Sequence, residues 1–540
     1  MTYIERVIAQ LEKAKDNVLL SEIHPSGLIS ATGGKIYERI NQARAQLREH
    51  GLRAGDRAVL IAPNSINWIA ADIAIAAEGA ISVPLYVRQN PAELAHMIAD
   101  SMPALVICAD ETLLATLRGL NGMPPTVLLD QLFTEKTVHE PPRARQSQAP
   151  VTILYTSGTS GMSRGVMLSS SNLEFMLDTS TKAFSKLTGV GQGVSRVFHY
   201  LPFCFAGSRV MVFTCLLKGH HVLLSMDLSR LLDELKVAAP HYFLNVPALL
   251  ERIQKRIEER MTANAWLGAL YRRAKHAYVS AHSASWLDRV ALALANASVF
   301  KSIKRHIGSS LRCLICGSAP LQIETQQFFH MLGIPVYQVY GLTETTAIIT
   351  MDDPDAGVSV GAVGRAIKGC EVKLSHDNEL CVRGPNVFSG YWSRDTDTRE
   401  VIDGDGWFHT GDQAEVDDRG NWRIIGRIKD LLVPSSGHNI APQPIESQLL
   451  ATLPSANHVV LVGHAKPFLT AIVSGELTDA QAQSAIDVLN QKQPHYKCIR
   501  GVFVTREPFT PDNGLLTANQ KLRRTAIEAR FHHEIERLYS

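Results

Sequence analysis

Four segments carry residue types whose spacing suits chemistry. An apolar run ending at Tyr155 opens into Thr156, Ser157, Gly158, Thr159, Ser160, Gly161, Met162, Ser163 and Arg164. Glycines let backbone N–H groups converge on an anion, hydroxyls add donors, and Arg164 can fork onto phosphate oxygens. No G-x-x-x-x-G-K-[ST] phosphate loop reads through the segment, and a plain polar loop between strands is its alternative meaning. The second segment, Val339 to Thr345, ends a strand pattern in Tyr340 and Gly341, then Thr343 and Glu344. That order suits a ring-stacking face, a phosphate contact and a ligand for a hard cation; alone it also reads as a helix cap. Third, Gly406 to Asp412 is followed by Ile425 to Asp430. Asp412 can accept hydrogen bonds from a ribose diol, while Arg427 and Asp430 suit a hinge; the bland alternative is a hairpin with a Gly-Asp turn. The last segment, Asn513 to Arg524, contains Lys521, which by itself reads as a solvated lysine.

The elements that must position these groups read as α/β. From Asp56 onward short apolar runs alternate with longer amphipathic ones. Arg57 to Ala62 reads as a buried strand, Pro63 to Ser65 as turn and cap, and Ile66 to Ala80 as a helix. Ala104 to Cys108, Thr126 to Leu129, His241 to Asn245 and Leu311 to Cys316 are further strand candidates, and the alternation predicts largely parallel stacked sheets. Glu135 to Pro150 reads as a surface connection. After Gly369 the texture turns to short β-like pieces, giving a small β subdomain, and an α+β texture resumes near Arg427 to Leu431. The expected division is a body over residues 1–429 and a C-terminal domain over 430–540.

Bulk properties exclude several classes. With 540 residues, two or more domains are expected. A composition of 45% hydrophobic and 20% charged residues with a net charge of +2 is globular and gives no sign of a nucleic-acid binder. The opening residues lack an apolar signal-peptide core, and Asp72, Glu78 and Pro84 interrupt the most apolar stretch, Trp68 to Tyr86, so a transmembrane span is not expected. Eight cysteines in this length make no disulfide framework, and cytoplasm is the default compartment. Cys313 and Cys316 read as parts of a buried strand, and the histidines show no local metal-ligand spacing.

Taken together and in this order, the segments resemble the adenylate-forming superfamily of acyl-CoA synthetases, luciferases and peptide-synthetase adenylation domains. Long-chain fatty acyl-CoA synthetases are the most similar, on Asn513-Gly514-Leu515-Leu516-Thr517, on Lys466 to Ala471, and on a helical insert from Ala248 to Ser310 ahead of Gly317-Ser318-Ala319-Pro320. The resemblance implies activation of a medium- or long-chain fatty acid by ATP and Mg²⁺ as acyl-AMP, then transfer to coenzyme A. It also implies roles. Thr156 to Arg164 would hold the β- and γ-phosphates, Gly317 to Pro320 with Tyr340 and Gly341 would border the adenine, and Thr343 would touch the α-phosphate. Glu344 would hold Mg²⁺, Asp412 and Arg427 the ribose, and Lys521 the reacting carboxylate and α-phosphate. Asp430 would be the hinge, and Gly437 and His438 would border a pantetheine tunnel.

Three departures stand out. Ser163-Arg164 replaces the family's Pro-Lys, keeping charge but not geometry. Phe205 replaces a histidine usually found near the acyl carboxylate, and His438 stands where many relatives have lysine or glutamate. Two other functions fit the same residues: an acyl-AMP ligase loading the phosphopantetheine of an acyl-carrier protein, and a catalytically weak nucleotide- or acyl-binding protein. Basic and aromatic residues between Lys255 and His306 read either as a helix surface resting on an anionic membrane or as a solvated insert.

Overall fold

The structure, a computed structural model, describes residues 1–540 except 119–122, 158–162, 189–192, 281–282, 309 and 518–520. Its largest sheet runs Gly390–Tyr391, Ser163–Ser169, Pro150–Ser157, Ile81–Leu85, Arg57–Ile61, Leu105–Cys108 and Thr126–Leu128 in spatial order. The last five strands are parallel, and Pro150–Ser157 turns back on Ser163–Ser169 as an antiparallel hairpin. Helix Ile66–Ala77 crosses between parallel strands. It is apolar all round because it is buried on nearly every side, the condition under which a helix loses its amphipathic stripe. Ser65 caps it by accepting from the Trp68 N–H, and the helix stops at Ala77 rather than Ala80 because Gly79 takes a φ of 76°.

A second sheet joins Gly27–Thr32, Val18–His24, His221–Ser225 and Arg196–His199. A third starts with parallel strands Leu244–Asn245, Leu314–Cys316 and Val336–Tyr340. Two of its strands are shorter than the apolar runs predict. The His241 ring instead accepts from the Arg196 N–H, and Tyr242 makes only an isolated bridge with Val197. The β-like texture after Gly369 forms an antiparallel sheet of Glu371–Leu374, Glu379–Arg383, Phe408–Val416 and Trp422–Arg427. Beyond it, Ala456–Val462, Leu469–Gly475 and Ile499–Thr505 form a three-stranded sheet in a C-terminal domain, over a core that includes Ile445, Leu449 and Ile486. The long insert folds as helices Pro247–Thr262, Ala265–Val279, Trp286–Ala295 and Lys301–Gly308. The connection before Pro150 is pinned, not free: the buried Arg44 guanidinium donates to the Glu140 and Pro141 carbonyls while its Nε reaches Glu78 at 2.8 Å. No described helix is long and apolar enough to cross a membrane.

One buried ion pair ties the body together. Arg209 on helix Ala206–Leu217 meets both oxygens of Asp72 at 2.7 and 2.8 Å and the Thr152 hydroxyl at 2.5 Å. The Ser82 hydroxyl donates to the same carboxylate at 2.6 Å. These contacts join helix Ile66–Ala77, two strands of the large sheet and the helix that follows Phe205.

Candidate active site

The sheets and the C-terminal domain meet around a cavity of about 2720 Å³. Strand Val336–Tyr340 delivers Tyr340 to its wall, and the chain must then double back tightly. A Cβ on Gly341 would stand 2.3 Å from the Ala347 carbonyl oxygen, so only glycine fits. The turn places Thr343 and Glu344 on the same cavity. One Glu344 oxygen accepts from the Tyr391 hydroxyl at 2.9 Å, and its backbone carbonyl accepts from the Phe388 N–H at 2.8 Å. The neighbouring strand Leu314–Cys316 leads into Gly317 to Pro320. Gly317 has no room for a Cβ, which would meet Val339 at 2.8 Å, and Ser318 takes a left-handed φ of 73°.

Asp412 and Arg427 are direct partners across two antiparallel strands. Arg427 Nε lies 2.8 Å from Asp412 Oδ1, and the Tyr340 hydroxyl donates to Oδ2 at 2.6 Å. Burial pushes the Asp412 carboxyl above its ordinary range, against the pull of Arg427 and the Tyr340 hydrogen bond. Burial opposes the charge of Arg427, yet Asp412, Tyr340, Glu344 and Asp430 together raise its pKa.

Lys521 enters this cavity from the C-terminal domain. Its backbone N–H donates to the Thr517 hydroxyl at 3.1 Å and its carbonyl accepts from the Thr517 N–H at 2.8 Å, a clasp that holds the segment in place. The side chain keeps access to water within the cleft but is crowded by protein. Burial and then Arg427 lower its pKa, while Asp412 and Glu344 work the other way. The hinge candidate Asp430 accepts from Gln443 at 3.1 Å and lies 3.8 Å from Arg524. Arg523 of the C-terminal domain pairs with Glu93 of the body.

A family model described as AMP-binding enzyme matches residues 9–392, and one for the AMP-binding enzyme C-terminal domain matches residues 429–540. The chain belongs to the AMP-binding enzyme family. Similar proteins include a long-chain-fatty-acid–CoA ligase of Mycobacterium bovis, FadD15, 29% identical over 93% of this chain and 92% of the relative. Another is the peroxisomal long chain acyl-CoA synthetase 6 of Arabidopsis thaliana, 29% identical over 91% of this chain and 79% of the relative. Family and relatives together support an AMP-forming acyl-CoA synthetase, and the family activates acids as acyl-AMP before forming coenzyme A thioesters. Among solved structures, the o-succinylbenzoate CoA synthetase of Bacillus subtilis with its acyl-adenylate superposes with a TM-score of 0.77 at 21% identity, covering 97% of this chain and 98% of that one. ATP-bound MatB of Rhodopseudomonas palustris gives 0.76 at 22% identity over 98% and 99% of the two chains. These two likenesses show the shared fold.

In this AMP-binding enzyme the cavity collects Thr156, Arg164, Gly317 to Pro320, Tyr340 to Glu344 (with Thr343), Asp412, Arg427, Asp430 and Lys521. Gly158, Thr159, Ser160 and Gly161 lie outside the described residues, and Ser157 is described only as the end of its strand. Gly437 and His438 do not line the cavity; the His438 ring stacks on Tyr496 with centroids 4.2 Å apart. Apolar side chains of Phe205, Val210, Met211, Phe184 and Leu244 line the same cavity. There Phe205 faces Tyr86 with ring centroids 6.2 Å apart, and burial pushes the Cys204 thiol up to about 12.

Sequence reasoning missed Tyr391. Its ring carries the Arg164 guanidinium 4.5 Å above its centroid while its hydroxyl holds Glu344, so it links the loop cation to the acidic wall. The available signal was an aromatic after Gly390, which takes a φ of 132° where a side chain would press on Thr398. Arg164 also approaches Asp397 at 3.4 Å. A planar guanidinium can lie flat on the ring and still present its edge to a carboxylate, which gives the Arg164 departure a local physical reason.

Proposed function

We propose that this enzyme joins a medium- or long-chain fatty acid to coenzyme A through an acyl-adenylate made in the cavity shared by the body and the C-terminal domain. The observation that carries the reading is the convergence of Glu344, Asp412, Arg427 and Lys521 on one cavity that apolar side chains also line. The apolar walls and the long-chain specificity named for relatives support the choice of acid.

A carboxylate is a poor acyl donor because its oxygen leaves reluctantly. Attack of a carboxylate oxygen on the α-phosphorus of ATP forms the mixed anhydride and expels pyrophosphate. Lys521 neutralises the two anions as they meet, Arg164 takes charge on the phosphate tail, and Asp412 with Arg427 fixes the ribose. Thr343, on the same cavity wall, would contact the α-phosphate. The Glu344 carboxylate, held by Tyr391, fits a hard divalent cation, and Mg²⁺ bound there would neutralise phosphate charge. In the second step the coenzyme A sulfur attacks the acyl carbon and AMP leaves with the carboxylate oxygen. Product analysis over acids from acetate to oleate tests this: coenzyme-A-dependent AMP and a thioester with the longer acids are expected, and no pyrophosphate with any acid contradicts it. Acyl-adenylate that persists with coenzyme A but discharges onto an acyl-carrier protein would replace the acceptor.

Residues 430–540 act as a lid that turns about Asp430 between the two steps, withdrawing Lys521 and bringing Gly437 and His438 to the pantetheine. The Asp430 carboxylate is tied to Gln443 and Arg524 of the lid itself, so a rotation absorbed at its backbone would carry the lid with it. Asp430→Pro is expected to slow thioester formation far more than ATP–pyrophosphate exchange. Equal losses in both would remove the hinge role.

A membrane surface is a further proposed contact, supported by the insert. Trp266 and Trp286 are 68% and 71% exposed there, close in sequence to Arg272, Arg273 and Lys275. Tryptophan and cations together favour an anionic lipid interface. Co-sedimentation with vesicles should rise with their anionic lipid content and fall in Trp266→Ser/Trp286→Ser; indifference to both would end the idea.

A further inference from the structure

Glu379 and Cys381 stand two residues apart on strand Glu379–Arg383, so their side chains leave the same face of the sheet. On the adjacent strand His409 is the direct partner of Cys381. Its Nδ1 lies 3.6 Å from Cys381 Sγ and 2.8 Å from Glu379 Oε2, and the three donor atoms fall within 4.8 Å of one another. Among the described residues this is the one group of three such ligands. Tetrahedral zinc, with bonds of about 2.3 Å to sulfur and 2.0–2.1 Å to nitrogen, needs a sulfur–nitrogen separation of about 3.5 Å, which the pair already has. The nitrogen–oxygen pair needs about 3.3 Å, an opening of roughly half an ångström. The other ring nitrogen, Nε2, has the Asp403 carboxylate at 3.5 Å, the kind of outer partner that aims a ligating imidazole. Lys373, opposite Cys381 in register, sits 4.0 Å over the Trp407 ring.

The group also touches the nucleotide end of the cavity. Glu379 and His409 border that cavity, and the Gly411 N–H donates to Glu379 Oε1 at 2.8 Å. Gly411 holds a left-handed φ of 72° immediately before Asp412. A cation that draws the Glu379 carboxylate away therefore loosens the irregular stretch of strand Phe408–Val416 that aims Asp412.

We propose that Glu379, Cys381 and His409 form a binding site for a thiophilic divalent cation, zinc above all, and that its occupancy weakens the grip of Asp412 on the nucleotide. The second half rests on the function proposed above; the site itself does not. In the metal-free protein His409 Nδ1 carries the proton it donates to Glu379, and burial keeps the Cys381 thiol protonated, its pKa raised to about 11. Binding replaces the thiol proton, which is released to solvent, while the imidazole proton moves from Nδ1 to Nε2, beside the Asp403 carboxylate, with no oxidant or reductant required.

Zinc titration of the full chain by calorimetry, without nucleotide, and cobalt titration followed by thiolate-to-metal absorption test the site. One equivalent is expected, with affinity falling at least ~10-fold in Cys381→Ser and in His409→Gln and unchanged in Cys498→Ser, a half-exposed cysteine elsewhere. Circular dichroism and the melting temperature of each variant establish that it is folded. Binding that survives both substitutions, or is absent from the folded wild type, overturns the site. At saturating Mg²⁺, zinc should weaken ATP binding in the wild type and not in Cys381→Ser; equal ATP affinity with and without zinc overturns the coupling. An enzyme that binds zinc as expected but never binds ATP would overturn the proposed function and leave the site standing.

Discussion

Lys521→Ala is expected to slow acyl-adenylate formation by about 100-fold or more, the scale of removing one preorganised electrostatic group. Thiolation of a supplied acyl-adenylate should stay near the wild-type rate. The asymmetry follows from geometry. Lys521 enters the cavity from the C-terminal domain, where burial and then Arg427 lower its pKa while Asp412 and Glu344 favour its charge. Its ammonium serves the step in which two anions must approach, and that need has passed once pyrophosphate has left. The Thr517 clasp holds the backbone of the segment, so truncating the side chain should leave the lid folded. Separate assays of ATP–pyrophosphate exchange and of thioester formation from acyl-AMP measure the two effects. Equal loss in both would mean that Lys521 acts on the fold or on both transition states.

The largest stability effect is expected at Arg209→Ala, about 3–5 kcal/mol in the cooperative unfolding of the body. Arg209 and Asp72 are 4% and 1% exposed on their side chains. Truncating the arginine strands a carboxylate that keeps only the Ser82 hydroxyl among these partners, and a buried charge without its counter-ion is costly. The penalty comes mainly from breaking the pair, so the double change Asp72→Leu/Arg209→Met should recover much of it. Urea denaturation followed by tryptophan fluorescence reports the difference, and a loss under ~1 kcal/mol would show that water or relaxation repairs the site. Arg209 sits next to Val210 and one turn from Phe205, both of which line the cavity, so acid binding should weaken in the same variant.

How much of this was legible in the sequence depends on distance along the chain. The parallel strands Arg57–Ile61, Leu105–Cys108 and Thr126–Leu128 were readable because each is a short apolar run bounded by turn residues, and helix Ile66–Ala77 carries its own cap in Ser65, whereas the central strand Ile81–Leu85 was hidden in the apolar stretch that continues from that helix. The helix end was misjudged by three residues, although Gly79 already marked it. The motifs that border the cavity could be picked out because each motif is local. What joins them is not. Tyr391 touches Arg164 and Glu344 only because Gly390–Tyr391 pairs with the strand that starts at Ser163, a long-range pairing without a local signature. The Glu379, Cys381 and His409 group escaped for the same reason, since a search for metal-ligand spacing looks along one segment and this group spans two strands. The trimmed strands near His241 and Leu311 show the opposite error, apolar runs whose backbone pairs over only part of their length.

The most direct test of the adenylate route uses a fatty acid labelled with ¹⁸O in both carboxylate oxygens, with ATP, Mg²⁺ and coenzyme A, and mass analysis of the products. One labelled oxygen should appear in AMP for each thioester formed, because AMP leaves with the carboxylate oxygen that attacked the α-phosphorus. Label in inorganic phosphate, with ADP as the nucleotide product, would mean activation at the γ-phosphorus and contradict the account.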